Sequence, residues 1–65
     1  MAKRAVVRIL AQKGAVMVRQ DGDHEVWKLG DRQCYVPKHK TITVGVCRSI
    51  QDALAPELGK GWLQK

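Results

Sequence analysis

No stretch of the chain approaches the roughly 18 consecutive apolar residues of a membrane span, so no membrane partner is expected. The opening run MAKRAVVRILAQKGAV is broken by Arg8, Gln12 and Lys13, which excludes the apolar centre of a signal peptide. A cytoplasmic protein is the expectation. There are two cysteines, Cys34 and Cys47, and they form no CxxC pair. Both stand among apolar residues, so two buried thiols in a reducing compartment are expected rather than a disulfide. They do not combine with His24 and His39 at a zinc-ligand spacing. Serine occurs once, at Ser49, and no serine-nucleophile motif or phosphate-binding glycine loop is present. Asp21, Asp23 and Asp31 each have a local reason to occupy a turn and do not argue for magnesium. No metal or other cofactor is expected.

Length excludes a second domain, and there is no internal repeat or low-complexity segment. A chain of 65 residues buries only about 60% of the surface that its unfolded form exposes. It cannot enclose a large catalytic cavity, so any chemistry must rest on a few side chains at an open surface. Acidic residues are also scarce. Lys plus Arg is 12 against 6 for Asp plus Glu, a net charge of +6 with neutral histidines. That balance favours a polyanionic partner: nucleic acid first, an acidic protein second and a membrane surface third.

The organising stretch is Val16 to His39, VMVRQDGDHEVWKLGDRQCYVPKH, which reads as three strands joined by tight turns. Before it, Ala2 to Lys13 carries Ala2, Val6, Ile9 and Leu10 on one helical stripe. Gly14 suits the residue after that helix, since it takes positive φ without a Cβ clash. Strands are expected over 15–19, 24–29 and 33–36, with Pro37 ending the ladder. Asp21-Gly22 is expected as the two-residue loop of a type I′ hairpin. That register pairs Arg19 with His24, Met17 with Val26 and Val16 with Trp27. It gathers Val16, Val18, Trp27, Leu29, Cys34 and Val36 on the face under the helices, with Glu25 as the exception. Met17, Arg19, His24, Val26, Lys28 and Tyr35 fall on the other, open face.

Lys38 to Val44 reads as a basic connection. Thr43 or Gly45 should cap a second helix whose buried stripe is Val46, Cys47, Ile50 and Leu54. Pro56 should stop or kink it near Ala55, leaving 56–65 as a loose tail after a domain of residues 1–55. Trp62 could fold back or meet a partner. The expected fold is α+β, in two layers: α-β-β-β-α, with a three-stranded antiparallel sheet and both helices on one face. This is the layout of double-stranded RNA-binding domains.

A metal-free ribonuclease needs a base for the 2′-hydroxyl proton, an acid for the leaving 5′-oxygen and cations for the phosphorane charge. Imidazole titrates near about pH 6.5 and suits the first two roles. Lysine and arginine suit the third. His24, beside a glycine turn, is the candidate catalytic residue. Arg19, Lys28, Lys38, His39 and Lys40 are the candidate RNA-binding residues, and Gly22 is the turn glycine. A lone histidine at a strand start is commonly a surface or turn residue, so the non-catalytic reading stands beside this one.

Gly14 through His24, GAVMVRQDGDH, then Val36-Pro37-Lys38-His39, then Gly45 with Arg48-Ser49-Ile50, resemble the HicA toxins of bacterial type II toxin–antitoxin pairs. The paired Gly-x-His and Val-Pro-x-His motifs carry the likeness, which runs from about residue 3 to residue 54. The resemblance implies a double-stranded RNA-binding-like fold and messenger RNA cleavage that blocks translation. It implies His24 as the single catalytic histidine, Gly22 as the turn glycine and Trp27 as a core aromatic. It further implies a HicB-type antitoxin that covers the histidine, with a higher-order complex open. Two residues depart from the family pattern. Asp23 stands where a small residue is usual and would repel phosphate beside His24. Val46 stands where threonine is usual. The alternatives are a non-catalytic RNA-binding domain of the same fold and a basic module docking an acidic protein.

Overall fold

The computed structural model describes residues 1–63. Its element order is α1 (Lys3–Gln12), β1 (Val16–Asp21), β2 (His24–Leu29), β3 (Arg32–Pro37) and α2 (Val44–Leu58). The strands form one antiparallel sheet in the order β1-β2-β3. Val6 and Leu10 of α1, Trp27, Cys34 and Val36 of the sheet, and Ile50 and Leu54 of α2 share one buried cluster. Both helices therefore lie over the same face of the sheet, as the sequence pattern predicts.

The helix ends follow local chemistry. Lys13 is the last residue of right-handed conformation after α1, and Gly14 follows at φ +94°. At the start of α2 the Thr43 hydroxyl accepts from the Val46 N–H at 3.4 Å, so threonine and not Gly45 is the cap.

Both hairpins turn on the same dipeptide. Gly22-Asp23 joins β1 to β2 and Gly30-Asp31 joins β2 to β3, since Asp21 pairs with His24 and Leu29 with Arg32. Only the glycines have positive φ, +56° at Gly22 and +59° at Gly30. That is the glycine-first pattern of type II′ turns. The expected type I′ loop at Asp21-Gly22 is corrected accordingly, and the pairing at the turn slides by two positions. Arg19 faces Val26, not His24.

A β-bulge between Met17 and Arg19 then shifts the rest of β1 by one residue, pairing Met17 with Trp27 and Val16 with Lys28. Val16 thus shares the face of Lys28 and Met17 that of Trp27, the reverse of the expected assignment. The expected burial of Val16 and Val18 also fails. All of β1 is exposed, because α2 packs over β3 and the cover does not extend to the far edge of the sheet. Val26, on the open face between Arg19 and Tyr35, is nonetheless fully buried.

The stretch after Ala55 is corrected as far as Leu63; residues 64–65 of the expected tail lie outside the described residues. Pro56 lies inside α2, which continues to Leu58. A proline there lacks an N–H, but the helix continues past it, and its last turn is closed by the Gly59 N–H donating to the Ala55 carbonyl at 2.7 Å. The chain then returns to the core rather than trailing as a loose tail. Trp62 and Leu63 are 6% and 2% exposed, and the Trp62 indole donates to the Gln51 carbonyl at 2.7 Å. Ile42, expected only as part of a basic connection, is also core at 1% exposure. Cys34 is buried, and burial pushes its thiol up to about 11, while Cys47 is only half-buried.

One ionic contact ties α1 to β2. The Lys3 ammonium donates to Glu25 at 2.7 Å, and the Trp27 indole donates to the other Glu25 oxygen at 3.1 Å. Burial alone raises the Glu25 carboxyl. The hydrogen bonds from Lys3 and Trp27, with the charges of Lys3 and Lys38, outweigh it, and the net displacement is below the ordinary 4.5.

Two outcomes follow. Trp62→Ala removes a packed core side chain and should cost about 3–5 kcal/mol, read as a lower urea midpoint; a loose residue would leave the midpoint unchanged. Because the folded carboxyl of Glu25 titrates below its unfolded value, its contribution is present above about pH 4.5 and is lost as pH falls through the lowered value. Glu25→Gln should therefore cost about 1 kcal/mol near neutrality and flatten the acid limb of the stability–pH curve.

Candidate active site

The Gly22-Asp23 turn delivers His24 as the first residue of β2. An added Cβ at Gly22 would meet nothing within 4 Å, so the turn needs glycine for its φ of +56° and not for space. In register His24 lies between Asp21 of β1 and Pro37 of β3. Its ring is exposed, on the sheet face away from Trp27. Beyond Pro37 the backbone stays close, and the Lys38 N–H donates to the Asp23 carbonyl at 2.7 Å.

The segment after β3 is held from the other side. Thr41 bridges to Ala2, the Lys3 N–H donates to the Lys40 carbonyl at 2.8 Å, and Ile42 anchors in the core. This clamp leaves an open cleft of about 420 Å³ between the first hairpin and the start of α2. Asp23, His24, His39, Thr41 and Thr43 supply its polar lining, and Pro37, Ile42 and Val46 its apolar lining. Two histidines that stand 15 residues apart in sequence therefore share one cleft. Both are exposed, and a ligand can reach either.

The expected cations are distributed differently. Arg19 shares the His24 face but is paired with Asp21 at 3.2 Å, with both side chains more than half exposed. Such a pair is weak and easily exchanged for a phosphate. Lys28 lies on the same face four residues along β2, about 13 Å from His24 at strand rise. At that distance it does not reach the His24 cleft. The Lys38 side chain is exposed and does not line the cleft; its charge acts on Glu25. Lys40 lines a separate depression of about 600 Å³ with Ala2, Lys3, Arg4 and Val7.

Sequence reasoning missed Thr41 and Thr43 as cleft residues. The sign was faint: two hydroxyls in the KTIT step that links the second histidine to the helix cap. Among the described residues, no three His, Cys, Asp or Glu side chains are grouped so that they could hold a metal ion. Among the same residues, no helix is long and apolar enough to cross a membrane.

A family model described as the HicA toxin of bacterial toxin–antitoxin pairs matches residues 4–65. The match includes the stretch beyond Ala55 that the motifs alone left without a counterpart. No curated protein and no solved structure matches the chain. With nearly its whole length covered by that one model, and with the α-β-β-β-α fold and the histidine cleft described above, the chain belongs to the HicA toxin family.

Proposed function

We propose that this toxin is a metal-independent endoribonuclease that cleaves messenger RNA at the His24 cleft. The observation that carries the reading is the exposed His24 ring in a cleft that also holds His39. Cleavage of RNA through its own 2′-hydroxyl needs two proton transfers. One imidazole takes the 2′-hydroxyl proton as that oxygen attacks the adjacent phosphorus. A second protonated group gives a proton to the departing 5′-oxygen, leaving a 2′,3′-cyclic phosphate and a free 5′-hydroxyl. His24 serves as the base and His39 as the acid, and the two roles return to their starting states when the protons exchange with water.

Charge on the phosphorane is met by the cleft's hydroxyl donors and by the surrounding cations. Arg19 and Lys28 contact flanking phosphates, and Lys38 adds to the positive field. With so few charged contacts on an open surface, binding is weak and salt-sensitive, which suits an enzyme reading little sequence. Asp23 in the cleft opposes phosphate approach and moderates activity. A HicB-type antitoxin neutralises the toxin by covering His24, and an acidic surface is the complement to a chain of net charge +6.

Controlled expression of wild type and His24→Ala tests this. Wild type should arrest growth and fragment messenger RNA, while His24→Ala should do neither, with cleavage reduced at least about 100-fold. Equal arrest by both proteins would leave RNA binding without catalysis as the function. His39→Gln should remove one limb of the pH–rate profile while RNA affinity changes little. A profile that keeps its shape would return His39 to a binding role.

A further inference from the structure

The first turn of α1 carries Lys3 and Arg4 and no acidic residue. Two cations at the positive end of a helix dipole oppose the helix they belong to. Arg8 follows Arg4 by one helical turn, and like charges at that spacing repel. Neither arginine has a carboxylate within ion-pair distance among the described residues, whose ion pairs are Lys3–Glu25 and Arg19–Asp21. The fold gains no ion pair from Arg4 or Arg8.

Arg4 and Lys40 line the depression of about 600 Å³ at the start of α1, and Arg4 and Arg8 line a second one of about 320 Å³. Lys3 lines the first but is held by Glu25, so Arg4, Arg8 and Lys40 are the available cations. Lys40 is presented there because the Lys3 N–H holds the Lys40 carbonyl at 2.8 Å. Its neighbours His39 and Thr41 line the His24 cleft. One short backbone segment thus joins the cleft to the basic groove.

We propose that Arg4, Arg8 and Lys40 form a track for the phosphodiester backbone of RNA leaving the His24 cleft. Three exposed cations linked through two adjoining depressions with partly apolar walls fit a flexible chain of spaced negative charges. The inference rests on the proposed ribonuclease reading, extending it by a strand path along α1. It accounts for the uncompensated arginines, which the cleft alone does not.

The test uses a fluorescent single-stranded RNA of about 15 nucleotides and full-length protein carrying His24→Ala to prevent cleavage. Arg4→Gln/Arg8→Gln is compared with Arg48→Gln/Lys60→Gln, which removes the same net charge from exposed positions elsewhere. Anisotropy over a salt series should show affinity at low salt falling at least about tenfold for the first pair. Its slope of log K against log salt should become shallower by about 1.4, which is two contacts at roughly 0.7 each. The control pair should keep the parent slope, and the melting temperature of the first pair should hold or rise. Equal binding by the two pairs overturns the track, as does a fall in melting temperature, which would assign the arginines to the fold. Retained RNA binding with lost binding of an acidic antitoxin also overturns it in favour of a protein contact. If the parent itself binds no RNA, the ribonuclease reading falls with it.

Discussion

Alternation along β2 governs the molecule. Glu25 and Trp27 point to the helices, while His24, Val26 and Lys28 point away. Strand geometry permits no compromise, since a slip of one residue would send the indole to solvent and the imidazole under α2. The Lys3–Glu25–Trp27 contact holds this choice from the helix side, and the two Gly-Asp turns hold it from the strand ends. Exposure of His24 is therefore a by-product of burying Trp27. Placement of the candidate histidine and core formation are one requirement in this chain.

A protein this small has cover for one face of its sheet and not all of that. α2 lies over β3, and the last described residues, Trp62 and Leu63, return to fill the remaining core. β1 stays exposed along its length. The open side is consequently where function can be placed without loss of stability. The cleft at the head of the sheet is bounded by backbone that two hydrogen-bonded clamps hold, one to Asp23 and one to Lys3. Ordered edges of this kind fix the backbone from which the two exposed rings project into the cleft.

Charge is used in two ways that burial separates. Glu25 is mostly covered and compensated by Lys3 at 2.7 Å, and the pair binds α1 to the sheet. Apart from the exposed Arg19–Asp21 pair, cations such as Arg4, Arg8, Lys28 and Lys40 lie at the surface without acidic partners among the described residues. Surplus cations that do not serve the fold are a standing attraction for polyanions. For a toxin they also define what its antitoxin must neutralise.

The sequence by itself determined the element order, the inward set Trp27, Cys34 and Val36, the helix stripes through Val6, Leu10, Ile50 and Leu54, and the HicA resemblance. Those features depend on periodicity, turn residues and motif spacing, which are local properties. Turn register was less legible, because Asp21-Gly22 and Gly22-Asp23 are both plausible loops in isolation. The second hairpin's Gly30-Asp31 held the clue, and the bulge at Val18 had none. Only the tertiary structure decided that Trp62 and Ile42 are core, that β1 is uncovered, and that His39 lines the same cleft as His24 while Lys40 lines a depression with Arg4. Each of those depends on contacts between residues far apart in the chain, where packing and not local preference selects the outcome.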